Sequence, residues 1–176
     1  MDMTPDSGGV DRNAKLYELR AGTGIDFGEK LNGEISAGYV REDIDDAILE
    51  DIGGLALDAV LNWSPRRETD VLLVLSTATE PSQEPGESGA VIYAADLAVT
   101  HRVRANLTAN AILGVDFRES RGGPDETTFN AQIGTTYWFN RFTGLTARVR
   151  HEQTQGLDNL DEDRTTSVFV GLRLQR

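Results

Sequence analysis

The chain has 176 residues, one domain or a piece of one. Its formal charge of −12 excludes the basic stripe that nucleic-acid binding requires, and the absence of cysteine removes disulfide staples and thiolate metal sites. No apolar run approaches the roughly 18 residues of a transmembrane helix, whereas a barrel that crosses with alternating strands is compatible with this composition.

Residues 1–12, with Asp2, Asp6, Asp11 and Gly8-Gly9, read as an acidic loop or tail. They contain neither the basic start, the apolar core nor the cleavage site of a secretion signal. Residues 13–176 read as the strands of a single β domain, possessing nine stretches of period-two alternation. The first, about Asn13–Asp26, sets Tyr17, Leu19, Ala21, Thr23 and Ile25 against Glu18, Arg20, Gly22 and Gly24. The second (about Leu31–Arg41) sets Leu31, Ile35, Ala37 and Tyr39 against Glu34, Ser36 and Gly38, and an acidic stretch, Glu42–Asp51, follows. The third (about Ile52–Trp63) has Leu55, Leu57, Ala59, Leu61 and Trp63 on one face and Asp58 and Asn62 on the other. Ser64-Pro65-Arg66-Arg67-Glu68 reads as a tight turn. The fourth, about Thr69–Thr79, is apolar on both faces through Val71–Leu75, and Glu80–Ser88 is a loop by composition.

In the fifth strand, about Gly89–Thr100, Val91, Tyr93, Ala95, Leu97 and Val99 oppose Asp96 and Thr100, and His101–Arg104 reads as a short turn. The sixth (about Ala105–Glu119) alternates Leu107, Ala109, Ala111, Leu113, Val115 and Phe117 with Asn106, Thr108, Asn110, Gly114, Asp116 and Arg118. After Ser120–Asp125, the segment Glu126–Arg150 forms a hairpin turning at Asn140-Arg141. Its arms set Phe129, Ala131, Ile133, Thr135, Tyr137 and Phe139 against Asn130, Gln132, Gly134 and Thr136, then Leu145, Ala147 and Val149 against Thr146, Arg148 and Arg150. Each arm runs for about ten to fourteen residues, against about five or six in an ordinary strand. Gln155–Arg164 is an acidic loop, and the ninth strand (about Thr165–Gln175) sets Val168, Val170, Leu172 and Leu174 against Phe169, Gly171 and Arg173.

The connections sort by kind. Those around 27–30, 64–68, 101–104 and 140–142 are short and basic, while those around 42–51, 80–88, 119–126 and 155–164 are longer and acidic. Bacterial outer-membrane barrels have short periplasmic turns and longer external loops. The aromatics Phe27, Trp63, Tyr137, Trp138, Phe139 and Phe142 near the short turns fit an interfacial girdle. The predicted fold is therefore all-β: an antiparallel up-and-down transmembrane β-barrel in the bacterial outer membrane. An odd strand count leaves a single-chain bacterial barrel unclosed, so at least one further strand is expected upstream, in a barrel of 8–10 strands or more.

A barrel of this kind turns its polar face to the lumen, so the predicted lumen charges are Glu18, Arg20, Glu34, Asp58, Asp96, Asp116, Arg118, Arg148, Arg150 and Arg173, with Glu152 beside them. The plain alternative is that they face solvent on a soluble sheet. No phosphate-cradling loop, nucleophile elbow or zinc signature occurs, and neither a catalytic residue, a cofactor nor a metal site is expected. Two features bear on hydrolytic or metal chemistry. His151 lies near Glu152 and Ser167 at a strand end, an arrangement that outer-membrane lipid hydrolases use. Glu42–Asp46 and Asp158–Asp163 are acidic enough to hold Ca²⁺ weakly but do not match the twelve-residue loop pattern. Scattered serines and solvated charge runs account for both.

The closing strand TTSVFVGLRLQR, with ANLTANAILGVDFRES and FNAQIGTTYWFNRFTGLTARVRHEQ, resembles the C-terminal half of the beta-barrel porin 2 type of outer-membrane porins of Gram-negative bacteria. The resemblance covers most of the chain. It implies a larger barrel with outer-membrane lipid and the barrel assembly machinery as partners, surface polysaccharide or small solutes as associated molecules, and no catalytic residues. The sequence departs from the usual assembly signal by ending Leu174-Gln175-Arg176 instead of in an aromatic residue. A porin-like or structural barrel is thus the first expectation, and a soluble, lipocalin-like barrel that turns its oily face inward around an apolar ligand is the second.

Overall fold

The computed structural model describes residues 14–44, 51–81, 88–156 and 162–175. Nine strands follow one another: β1 (Ala14–Asp26), β2 (Leu31–Ile44), β3 (Ile52–Arg66), β4 (Thr69–Pro81), β5 (Gly89–Arg104), β6 (Leu107–Arg121), β7 (Glu126–Trp138), β8 (Thr143–Gly156) and β9 (Glu162–Leu174). They form one sheet in chain order, each antiparallel to the next. The alternation that marks each strand in the sequence is the reason for this order. Neighbouring amphipathic strands bury their backbone groups in each other and keep their faces aligned by pairing at once with the next in line.

The strands exceed their sequence-based bounds, mostly at the acidic ends. Glu42 and Asp43 belong to β2, Glu80 to β4, Ser120 and Arg121 to β6, and Asp163 to β9, so much of what reads as acidic loop is strand. Ladder hydrogen bonds carry these polar residues along because the partner strand is equally long. The short turns shift as well. His101–Arg104 lies within β5, and the reversal falls at 105–106. A register shift between Arg102 and Arg104 accommodates this tight reversal. A second shift lies between Trp63 and Arg66, where Pro65, which has no N–H to give a ladder, is tolerated. At the β7–β8 turn the Asn140 side-chain oxygen accepts hydrogen bonds from the Phe142 and Thr143 amides at 2.8 and 2.9 Å.

Register places one residue from each strand in lateral rows. One row reads Leu19, Tyr39, Leu55; another reads Leu73, Leu97, Leu113, Ala131; a third reads Ile133, Val149, Val168. These rows share one apolar face, and its members stand open: Leu19 is 80% exposed, Ile133 72% and Leu172 74%. Charged side chains on the other face are more enclosed, with Arg20 29% and Asp58 32% exposed. A sheet that encloses its polar face and opens its apolar one is the reverse of a lipocalin-like arrangement. From Leu31 to Tyr39 the apolar face runs for about 27 Å along the strand at ~3.4 Å per residue, close to the apolar band of an outer-membrane barrel. Aromatics mark both ends of it. Trp63, Phe27, Tyr137, Phe139 and Phe142 stand at the short turns, and Tyr17 and Tyr39 at the far end, all exposed. Trp138, expected in the first group, belongs instead to the polar face, because it follows Tyr137 in the strand and so points the opposite way, beside Gly144.

One ladder is incomplete. β2 and β3 pair as far as Glu42 and Ile52, and β4 and β5 as far as Pro81 and Gly89, but β3 and β4 pair only from Arg66–Thr69 to Ala59–Leu75. Beyond that point the Thr77 hydroxyl accepts a hydrogen bond from the Leu57 amide (2.9 Å) and donates to the Leu57 carbonyl (3.1 Å). The Tyr93 hydroxyl lies against Gly54, 2.5 Å from where a Cβ would stand. The far ends of β4 and β5 have turned their apolar face onto the polar face of β3. A Cβ on Gly54 would lie 3.5 Å from Val91 Cγ1, and Val40, Ile52, Ala56, Ala90 and Val91 are all buried there.

Between β1 and β2 the chains approach so closely at Gly38 that a Cβ would fall on the Leu19 carbonyl oxygen and against Arg20 Cα at 2.8 Å. Backbone cannot swing aside as a side-chain tip can. Gly38→Ala is expected to destabilise the folded sheet by about 1–3 kcal/mol, measured by urea unfolding in lipid vesicles, whereas Gly24→Ala, where a Cβ meets nothing within 4 Å, changes stability much less.

Candidate functional site

The polar face is the candidate site. All ten charged residues singled out in the sequence, Glu18, Arg20, Glu34, Asp58, Asp96, Asp116, Arg118, Arg148, Arg150 and Arg173, occupy register positions on this one face. Sharing a face does not bring all ten together. They form three groups, and small residues beneath them decide who meets whom.

On β1–β3 the Arg20 guanidinium is ion-paired with Glu18 on its own strand and with Asp58 two strands away. It reaches Asp58 by crossing β2 where Gly38 and Ser36 stand. On β4–β6, Arg118 likewise crosses β5 to bond Glu80 at 2.5 Å. In the centre, Asp96 of β5 and Asn130 of β7 both lean over Gly114 of β6; a Cβ on that glycine would lie 2.5 Å from Asp96 Oδ1. Gly134 similarly makes room for Asn110, whose Oδ1 would be 2.7 Å from a Cβ. Among the described residues, no ion pair involves Glu34, Asp96 or Asp116.

β7–β9 carry the cationic group. Arg150 pairs with Glu152 at 2.6 Å. Arg148 stacks over the Phe169 ring, 4.5 Å from its centroid, and Arg173 lies 5.9 Å from the Trp138 centroid. Both rings lie over glycine. A Cβ on Gly144 would come within 2.9 Å of Trp138, and one on Gly171 within 2.7 Å of Phe169. Sequence reading missed these two aromatics as site residues. The available signal was a ring at a polar-face position with a glycine two places on, as in Phe169–Gly171, or opposite, as in Trp138–Gly144.

The hydrolase-like grouping does not form. His151 shares the apolar face with Thr166, whose hydroxyl is 2.8 Å from its Nδ1, while Glu152 and Ser167 project from the other face. The reason is parity: residues adjacent in a strand point to opposite sides. His101 likewise contacts Thr69, at 2.9 Å. No cluster of three or more metal-ligating side chains occurs among the described residues. Of the two acidic stretches, residues 45–46 and 157–161 lie outside the described residues; Arg41 is ion-paired with Asp43 and, at 2.8 Å, with Asp51.

Comparison with known proteins agrees with this geometry. The sequence profile of the family described as "Putative beta-barrel porin 2" matches residues 1–176. No curated protein is similar to the chain at a significant level. Among solved structures, the chain described as "Outer-membrane expressed OmpT of Vibrio cholerae" superposes with a TM-score of 0.58 at 17% identity, over 93% of this chain and 56% of that one. At that identity the likeness shows the fold alone. This chain therefore spans little more than half the length of the solved barrel it matches.

Packing of Trp138 against Gly144 supplies a direct test of the polar face. In a Trp63→Phe background, where Trp138 is the one remaining tryptophan, Gly144→Ala should push the ring off the strand and raise its acrylamide quenching. Gly24→Ala in the same background should leave the quenching unchanged.

Proposed function

The chain belongs to the putative beta-barrel porin 2 family, and from that premise we propose that it walls a water-filled outer-membrane pore for small hydrophilic solutes, without a catalytic step. The observation that carries this reading is the segregation of faces: ten charges on one side, open apolar rows on the other. Charge near the membrane midplane is expensive, about 2–4 kcal/mol for Lys or Arg on the lipid side, so the apolar face meets lipid and the charged face meets the lumen.

In the lumen the charges are sorted. Glu34, Asp58, Asp96 and Asp116 stand on β2–β6, and Arg148, Arg150 and Arg173 on β8–β9. Closing the wall would set a mainly acidic side against a mainly basic one, and a solute passing between them would be selected by charge and orientation. The free edges of β1 and β9 would pair with further strands of the wall, because an open edge is not tolerated against lipid. The acidic ends of the strands would face outward from the cell, and the short turns inward. Outer-membrane lipid and the barrel assembly machinery are the partners this placement implies, with surface polysaccharide among the molecules that would meet the acidic mouth.

Two experiments test the reading. Full-length protein should fractionate with the outer membrane, migrate as a heat-modifiable band and conduct ions in planar bilayers. Arg148→Glu combined with Arg150→Glu should shift its permeability ratio towards cations by several-fold; solubility without detergent, or a permeability ratio that does not move, would count against it. Ile133→Lys, on the lipid side, should lower folding stability in vesicles by about 2–4 kcal/mol. The adjacent Gln132→Lys, on the lumen side, should cost less than about 0.5 kcal/mol.

A further inference from the structure

We propose that the split between β3 and β4 is a lateral doorway through which apolar molecules pass between the barrel interior and the outer leaflet. This rests on the outer-membrane reading above and adds a second class of passenger to it.

Two independent observations meet at the split. The first is the missing ladder. Along 52–58 of β3 and 76–81 of β4 the strands are held by hydroxyls and apolar contact instead of paired backbone. Parting an ordinary ladder in hydrocarbon leaves a row of unsatisfied N–H and C=O groups, each costly. Here few such bonds exist to break, and Thr77 supplies a partner to Leu57 through a rotatable side chain. The second observation is an apolar strip on the polar face. Val60 and Val74 are register partners, as are Leu72, Ala98 and Ile112 in the next row. Val60 is 40% exposed.

A pore wall that only lines water has no use for such a strip. It lies directly beside the point where the ladder ends, since Val60–Val74 is the row next to Ala59–Leu75. Beyond that point Val40, Ile52, Ala56 and Val91 are buried beside Thr77. On the far side of the wall, Leu61, Leu73, Leu97 and Val99 line an apolar groove of about 480 Å³. An apolar molecule thus has a continuous apolar course: the strip inside, the lapped residues of the seam, and the groove outside. A hydrophilic solute gains nothing along it. When the doorway opens, the lapped ends of β4 and β5 lift from β3, and the passenger takes the place of Val91 against Gly54 and Ala56.

The chain contains no cysteine, so a single engineered pair locks the seam cleanly. A Cβ on Gly54 would lie 3.5 Å from Val91 Cγ1, within reach of a disulfide in Gly54→Cys with Val91→Cys, and 2.5 Å from the Tyr93 hydroxyl, so Tyr93→Phe accompanies the pair in both redox states. The readouts are entry of the apolar dye N-phenylnaphthylamine into Gram-negative cells making the full-length protein, and swelling of proteoliposomes in arabinose. Oxidation of the double variant should reduce dye entry to that of cells lacking the protein, with recovery on reduction, while arabinose swelling stays constant. Thr77→Val, which removes both hydroxyl bonds, should raise dye entry several-fold. Equal dye entry in the oxidised and reduced double variant overturns the doorway. If that variant does not assemble, unchanged entry in Thr77→Val overturns it. Absent arabinose swelling in the unmodified protein overturns the hydrophilic pore and not the doorway, which the dye comparison decides separately.

Discussion

Every backbone N–H and C=O of a strand in hydrocarbon must be bonded to the next strand, because no water is there to replace the partner. That requirement fixes the rest of this structure. It makes sequential strands lie side by side, sets them antiparallel across short turns, and forbids a one-residue slip that would turn every apolar side chain to the wrong face. Long registers such as Gly89–Arg121 to Arg104–Leu107 between β5 and β6 are its direct expression. Once the register is set, the parity of a residue decides whether it meets lipid or the polar side. His151 and Glu152 are neighbours in sequence and yet have no surroundings in common.

Within the polar face a second constraint operates. Cross-strand neighbours stand only about 5 Å apart, so large side chains compete for space unless something beneath them is small. Glycine resolves the competition. Gly38 lies on the path of Arg20 towards Asp58, Gly114 lies under Asp96 and Asn130, and Gly144 and Gly171 lie under Trp138 and Phe169. The charges are therefore held by the pattern of small residues as much as by their own pairing. This is why Arg20 finds a carboxylate two strands away while Arg148 lies over an aromatic ring.

Those two constraints differ in how plainly they are written in the sequence. The first is local. Alternation such as Leu107, Ala109, Ala111, Leu113 against Thr108, Asn110, Gly114 identifies a strand and its faces without any knowledge of its partner, so all nine strands and the parity of every singled-out charge are legible. Strand ends are less so. Glu42, Asp43 and Arg121 look like loop because they are charged, and only the length of the facing strand shows that they continue the ladder. The second constraint is not local at all. That Trp138 stands opposite Gly144 depends on the exact register of the β7–β8 turn, and a reading that counts aromatics near a turn places it in the collar.

The β3–β4 split is where the two constraints conflict. Continuing the ladder past Ala59–Leu75 would set Leu57 opposite Thr77 and put Thr77 and Thr79 of β4 on the lipid side, while Val40, Ile52 and Ala56 stayed on the polar side facing water. Turning the ends of β4 and β5 inward gives up those backbone pairs but buries five apolar residues and brings Thr77 to the Leu57 backbone. The ladder would satisfy the backbone of this segment, whereas the lapped arrangement satisfies its apolar side chains and, through Thr77, the Leu57 backbone. The doubly apolar stretch Val71–Leu75 sits at the foot of this exchange. Its sequence does not choose a face, and it leads into the part of the described sheet where backbone pairing gives way to side-chain contact. Two arrangements of one segment, each satisfying its polar groups in a different way, are also what a moving part requires.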